Sequence, residues 1–116
     1  MGTETIDSTP RATRYDLNVP VVLYLLDGIA SGRTINVSDT GILATFDRPL
    51  DPWDTGRLHT LATGSYLSIE VRVVRVEGQQ VGMTFQIAEE SDRATIGKLI
   101  ELANLGLAAV PPAPAA

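Results

Sequence analysis

At 116 residues the chain has the size of one domain, and its 44% hydrophobic content is enough to fill a core without staples. The absence of cysteine removes disulfides, thiolate zinc sites and cysteine nucleophiles, and fits a reducing compartment. Nine Lys and Arg against fourteen Asp and Glu leave a net charge of −5, the opposite of the balance expected for a binder of DNA or RNA.

Residues 1–13 are polar, carry Gly2 and Pro10, and show no apolar period, which predicts a flexible N-terminal tail. No charged-then-apolar leader opens the sequence, and no apolar run approaches the ~18 residues of a membrane span. A soluble, cytoplasmic protein is therefore expected.

Val19–Leu26 is a β-branched and aliphatic run entered through Pro20, as an early or edge strand would be. Asp27-Gly28 and Ser31-Gly32 predict a turn before a strand at Arg33–Val37. Ile42–Phe46 follows, then a Pro- and Asp-rich loop from Asp47 to Gly56 and a weak strand at Arg57–Leu61. Tyr66–Val76 is the clearest strand, with Leu67, Ile69, Val71 and Val73 alternating with Ser68, Glu70 and Arg72. After a turn at Glu77-Gly78-Gln79, Val81, Met83 and Phe85 alternate again. Six short strands without intervening helices predict an antiparallel barrel or sandwich.

One helix is expected, from Asp92 to Leu105, where Ile96, Leu99, Ile100 and Ala103 form a stripe that would cover a mouth or flank of the barrel. Ser91 or Asp92 is its expected cap, Gly97 lies in its interior, and Gly106-Leu107 suits a Schellman stop. The Ala/Pro-rich residues 107–116 predict a disordered tail.

The most informative segment is Asn36-Val37-Ser38-Asp39-Thr40-Gly41 between two apolar runs. In an extended chain Asn36 and Ser38 share a face while Ile35 and Val37 point to the core. Gly41 would let the chain turn or a ligand approach the backbone. The plain reading is a hairpin corner built from turn-forming residues.

Other residues carry less. Arg72 and Arg75 read as a solvated barrel face, and Arg11 and Arg14 by themselves as solvated charges. His59 has no second His or Cys with which to hold a metal, and reads as a surface residue. Trp53, between Asp51 and Asp54, either lids the core or anchors a partner. Asp-Thr-Gly occurs at both Asp39 and Asp54, but Ser38 and Ile42 flank the first and Trp53 and Arg57 the second. That is not the apolar-before, small-after context of aspartic proteases, and Asp-x-Gly is ordinary turn chemistry. No GxxxxGK loop is present either, so an enzyme is not expected and no cofactor is assigned.

Taken together, Arg14-Tyr15 leading into Val19-Pro20-Val21, Asn36-x-Ser38-x-x-Gly41, Val71-Arg72-Val73-Val74-Arg75-Val76, and Val81-Gly82-Met83-Thr84-Phe85 before a final helix resemble a PilZ domain over residues 10–102. The resemblance implies a mainly β fold over residues 14–106, a six-stranded antiparallel barrel with one C-terminal α-helix. It also implies a bacterial second-messenger receptor that binds cyclic di-GMP through an RxxxR segment and a (D/N)xSxxG corner. The corner is complete on Asn36, Ser38 and Gly41. In the arginine segment Pro10 stands four residues before Arg14, and the available pair is Arg11 and Arg14 at i, i+3.

The ligand-binding set expected from the resemblance is therefore Arg11, Arg14, Asn36, Ser38 and Gly41. Guanidinium forks match phosphate oxygens and the guanine edge and can stack on the base, while Asn and Ser supply further hydrogen bonds. Ordering of the arginine segment would relay the signal to a protein partner, and the cost of that ordering points to affinity on the order of micromolar or weaker. Asp16, Asp39 and Asp47 would oppose a dianionic ligand if they faced it. The alternative is a degenerate PilZ domain that binds no cyclic di-GMP and serves as a protein–protein adaptor, for example in type IV pilus or motility machinery.

Overall fold

Period-two burial along most of the chain produces strands whose inward side chains close on one another. The computed structural model describes residues 13–62 and 65–105. In chain order the elements are β1 (Tyr15–Asp16), β2 (Pro20–Leu25), β3 (Gly28–Val37), β4 (Gly41–Phe46), β5 (Thr55–Ala62), β6 (Ser65–Glu77), β7 (Gln80–Phe85) and α1 (Glu90–Asn104). Every pairing is antiparallel: β2 lies between β3 and β5, β6 between β5 and β7, and β4 between β7 and β3. The ring closes as a six-stranded barrel, and β1 adds a two-residue pairing on the far half of β3. Closure leaves no long unpaired edge on the barrel strands.

Leu23, Val37, Ile69, Val71, Val73 and Val81 are among the side chains that fill the barrel. Thr34 is one of the few polar side chains buried in this interior, with Thr60 another. The Thr34 hydroxyl donates to the Leu17 carbonyl and accepts from the Val19 N–H, tying the entry segment to β3. Ile96, Leu99 and Leu102 place one face of α1 in the same core, against β6, β1 and β3, and Leu99 shares a small internal cavity with Val21, Leu58 and Ile69.

Several local expectations change. Ser31-Gly32 makes no turn: Gly28, at φ +147°, completes the β2–β3 hairpin, and Gly32 lies within β3, where any side chain would collide with the Thr45 carbonyl of β4. The helix begins two residues before Asp92, which acts from its first turn: the carboxylate accepts the Ala88 and Glu89 N–H groups at 2.8 and 3.0 Å. Gly106 and the expected 107–116 tail fall outside the described residues, as does the 1–13 tail apart from Thr13. No described helix is long and apolar enough to cross a membrane.

Candidate functional site

Two β-bulges decide which side chains reach the outer face. In β3, Thr34 pairs with Ala44 but Asn36 pairs with Leu43, so Ile35 is the extra residue and the alternation changes phase. Thr34 and Val37 point inward, Ile35 is only half-buried, and Asn36 is carried to the outside. The expectation that Ile35 joins Val37 in the core fails at this bulge. In β6, Val73 pairs with Met83 and Arg75 with Gly82. An unbroken strand with Val71 and Val73 inside would turn Arg75 inside as well. The extra residue, Val74, sends Arg75 out and leaves Val76 half-buried.

The two bulged positions end a single line across four strands. Asn36 on β3 faces Leu43 on β4, Leu43 faces Gly82 on β7, and Gly82 faces Arg75 on β6. At about 4.8 Å per strand, the row spans roughly 14 Å along the sheet. Gly82 leaves its floor low: a methyl group there would only just touch the Cβ, Nε and Nη2 atoms of Arg75, at 3.7–4.0 Å, so the arginine lies across the glycine.

Over this row sits a cleft of about 450 Å³ whose lining includes Arg14, Asn36, Thr40, Val74, Arg75 and Thr84. The volume lies within the ~300–1,000 Å³ typical of small-molecule sites. Among the described residues no carboxylate lines it. In a chain of net charge −5, two guanidiniums with no acidic neighbour among the described lining residues make a local cationic spot. Asp16 and Asp39 are exposed and do not line the cleft, and Asp47 is engaged elsewhere, accepting the Ser31 N–H at 3.0 Å.

Arg14 directly precedes β1, whose Asp16 pairs with Asn36, and its Nη1 donates to Asn36 Oδ1 at 3.0 Å. Ser38 behaves differently from expectation. It is fully buried and does not share the outward face of Asn36: its Oγ accepts the N–H groups of Thr40 and Gly41, both at 3.2 Å, and lies 3.2 Å from Thr40 Oγ1. The serine thus organises the β3–β4 corner, a side-chain-closed turn. Gly41 lines the cleft, but its lack of a side chain answers to the Met83 carbonyl, which a Cβ would penetrate. Arg11 lies outside the described residues.

The remaining cations are mostly engaged. Arg48 pairs with Asp27 at 3.3 Å, Arg33 donates to Asn18 at 2.7 Å, and Arg57 to Ser68 at 2.8 Å. Arg72 places its guanidinium 5.8 Å from the centre of the Trp53 ring. Trp53 does not lid the core: it is 68% exposed and holds φ +77°, while its N–H donates to the Val73 carbonyl at 2.7 Å. His59 packs half-buried between Tyr24 and Tyr66, with Nδ1 hydrogen-bonded to the Tyr66 hydroxyl. Among the described residues, Arg75 has no hydrogen-bond or ion-pair partner. Arg75 is exposed on the outer face, as read for it, and there it also lines the cleft; the signal for the bulge was present, because Arg72 and Arg75, three apart, share an outward side only if the strand bulges.

The PilZ domain family model matches residues 8–102 of the chain. The chain belongs to the PilZ domain family. No curated protein matches it. Among solved structures, this PilZ domain is similar to the PilZ domain of CeSA from a cellulose-synthesizing bacterium, at 19% identity and TM-score 0.69 over 78% of this chain and 98% of that one. It is similar also to the PilZ domain of YcgR from Escherichia coli, a structure with c-di-GMP, at 10% identity and TM-score 0.70 over 84% and 94%. The Bacillus subtilis inhibitor of motility MotI/DgrA matches at 15% identity and TM-score 0.62, with 84% of this chain covering 52% of that one. At such identities the likeness establishes the fold: the six-stranded barrel and C-terminal helix are those of PilZ domains.

Proposed function

We propose that this PilZ domain is a cyclic di-GMP receptor whose ligand occupies the outer cleft beside the Asn36–Gly41 corner. The observation that carries this reading is the arginine-bearing cleft, lined among the described residues by no carboxylate, in an acidic chain. Arg14, oriented by Asn36, offers a planar fork to a phosphate or to a guanine edge. Asn36 keeps an amide to donate, Thr40 and Thr84 add hydroxyls at the rim, and Ser38 holds the corner in shape from inside. The PilZ domain of YcgR, of like fold, was solved with c-di-GMP. Arg11 joins the site from the preceding segment, and its capture is the step that a protein partner would read. No reaction is assigned to the site.

A second reading has its own observation. Pro10 occupies the place that the resemblance gives to an arginine, and a domain lacking that grip would act as a protein–protein adaptor in motility machinery, with the exposed Trp53 loop as a docking point. Calorimetric titration with cyclic di-GMP, with GTP and cyclic AMP as controls and Arg14→Ala alongside, separates the two. Saturable heat lost in Arg14→Ala supports the receptor. No heat up to high micromolar ligand supports the adaptor.

A further inference from the structure

We infer that Arg75 is a ligand-binding residue of the outer cleft, gripping the end of the ligand opposite to Arg14. The inference rests on the receptor reading, but its grounds are separate. An arginine inside a strand of alternating core valines is delivered to the outer face by a bulge, and bulges recur where a sheet re-aims a side chain toward a site. A matching bulge on β3 delivers Asn36 to the same row. The two bulged strands flank the two strands that form the floor, so Asn36 with its bonded Arg14 holds one end of the Asn36–Leu43–Gly82–Arg75 line and Arg75 the other.

The chemistry of the row fits a ligand with two anionic centres and two flat faces. Single-ended sites need one cation; here two guanidiniums stand at opposite ends of a floor lowered by Gly82. Arg75 lies across that glycine, its Nε and Nη2 at 3.9 and 4.0 Å from the place of a Cβ, and a guanidinium there can stack on a purine or meet a phosphate. Val74, 46% exposed beside it, offers an apolar edge to the same ring. Arg75 has no ion pair with a described residue that engaging the ligand would break.

The test is a cyclic di-GMP titration of the wild-type chain and of Arg14→Ala, Arg75→Ala, Arg75→Lys and Gly82→Leu, each at two salt concentrations, with thermal melts as fold controls. Arg75 is exposed and Gly82 has room for a Cβ, so all variants are expected to melt near the wild type. Arg75→Ala should weaken binding at least 10-fold and lessen its salt dependence. Arg75→Lys should keep the salt dependence while losing affinity, and Gly82→Leu should obstruct the row. Wild-type binding that Arg14→Ala abolishes and Arg75→Ala leaves unchanged would overturn this inference and leave the receptor reading standing. A wild-type chain that binds nothing would overturn both.

Discussion

Arg14 and Asn36, 22 residues apart in the chain, share a 3.0 Å hydrogen bond where β1 pairs with β3. The amide oxygen takes one edge of the guanidinium, and the rest of the fork stays directed at the cleft. Asn36→Ala removes the group that orients Arg14 and, on the receptor reading, a ligand contact as well. With a hydrogen bond to a charged group worth ~1.5–3 kcal/mol, affinity for cyclic di-GMP should fall by about 10- to 150-fold. Calorimetry checks it, and an unaltered dissociation constant would move the contact away from this corner. Arg14→Lys, a point charge in place of a fork, should recover only part of wild-type affinity.

Ser38→Ala is predicted to act on stability first. The hydroxyl accepts two backbone N–H groups at the corner, and Gly41, whose N–H is one of them, is buried. Leaving that donor unsatisfied costs about 1–3 kcal/mol. Urea unfolding should show a lower midpoint at unchanged slope, with the melting temperature falling by roughly 4–8 °C for each kcal/mol. A variant as stable as the wild type would mean that the turn is closed by other bonds. Loss of ligand binding in Ser38→Ala must then be read beside its melt, because the serine holds the corner that positions Asn36.

Gly97 offers a change of the opposite sign. It lies in the interior of α1, and nothing stands within 4 Å of the place a Cβ would take. Gly97→Ala restricts the unfolded chain and meets no steric objection, so it should stabilise the domain by about 0.4–1 kcal/mol. A raised urea midpoint without change in ligand affinity is the expected result. A lowered midpoint would show that the glycine serves a contact made by α1 with something outside the described residues.

The parts of the fold governed by alternation could be read from the residues. Leu67, Ile69, Val71 and Val73 set the inward face of β6, and the i, i+3, i+4 stripe of Ile96, Leu99 and Ile100 placed α1 on the barrel. What escaped were the two changes of phase. Thr34 and Val37 both point inward, and Arg72 and Arg75 both outward; each pair is three apart, a spacing that a regular strand forbids. The sequence marks such places only through a broken pattern, and an Asn or Arg there reads equally as surface. The Asn36-x-Ser38-x-x-Gly41 corner was visible as a motif, yet the division of labour within it was not. Burial separates Asn36 at the cleft from Ser38 inside the turn, because β3 ends at Val37 and the serine folds back on the Thr40 and Gly41 N–H groups. Gly41 likewise owes its place to a carbonyl 42 residues onward, on Met83, which no local rule reveals.

Acid should lower the stability of the domain through two groups, His59 first and Asp92 at lower pH. Burial between Tyr24 and Tyr66, aided by the charge of Arg57, lowers the His59 pKa from its ordinary 6.5, so the folded state resists a proton that the unfolded chain accepts. The stabilising contribution is complete above 6.5 and is lost as pH falls from there through the lowered folded value. Asp92 follows at lower pH. The Ala88 and Glu89 N–H groups hold its carboxyl below the ordinary 3.8, so its contribution is present above 3.8 and disappears as pH drops through the folded value. Urea midpoints measured across the acid range should show both falls, with His59→Gln flattening the first and Asp92→Asn the second. Asp92→Asn should also lower stability at neutral pH, because an amide is a poorer acceptor for the two N–H groups at the start of α1. An acid profile unchanged by His59→Gln would place the first proton uptake on another group.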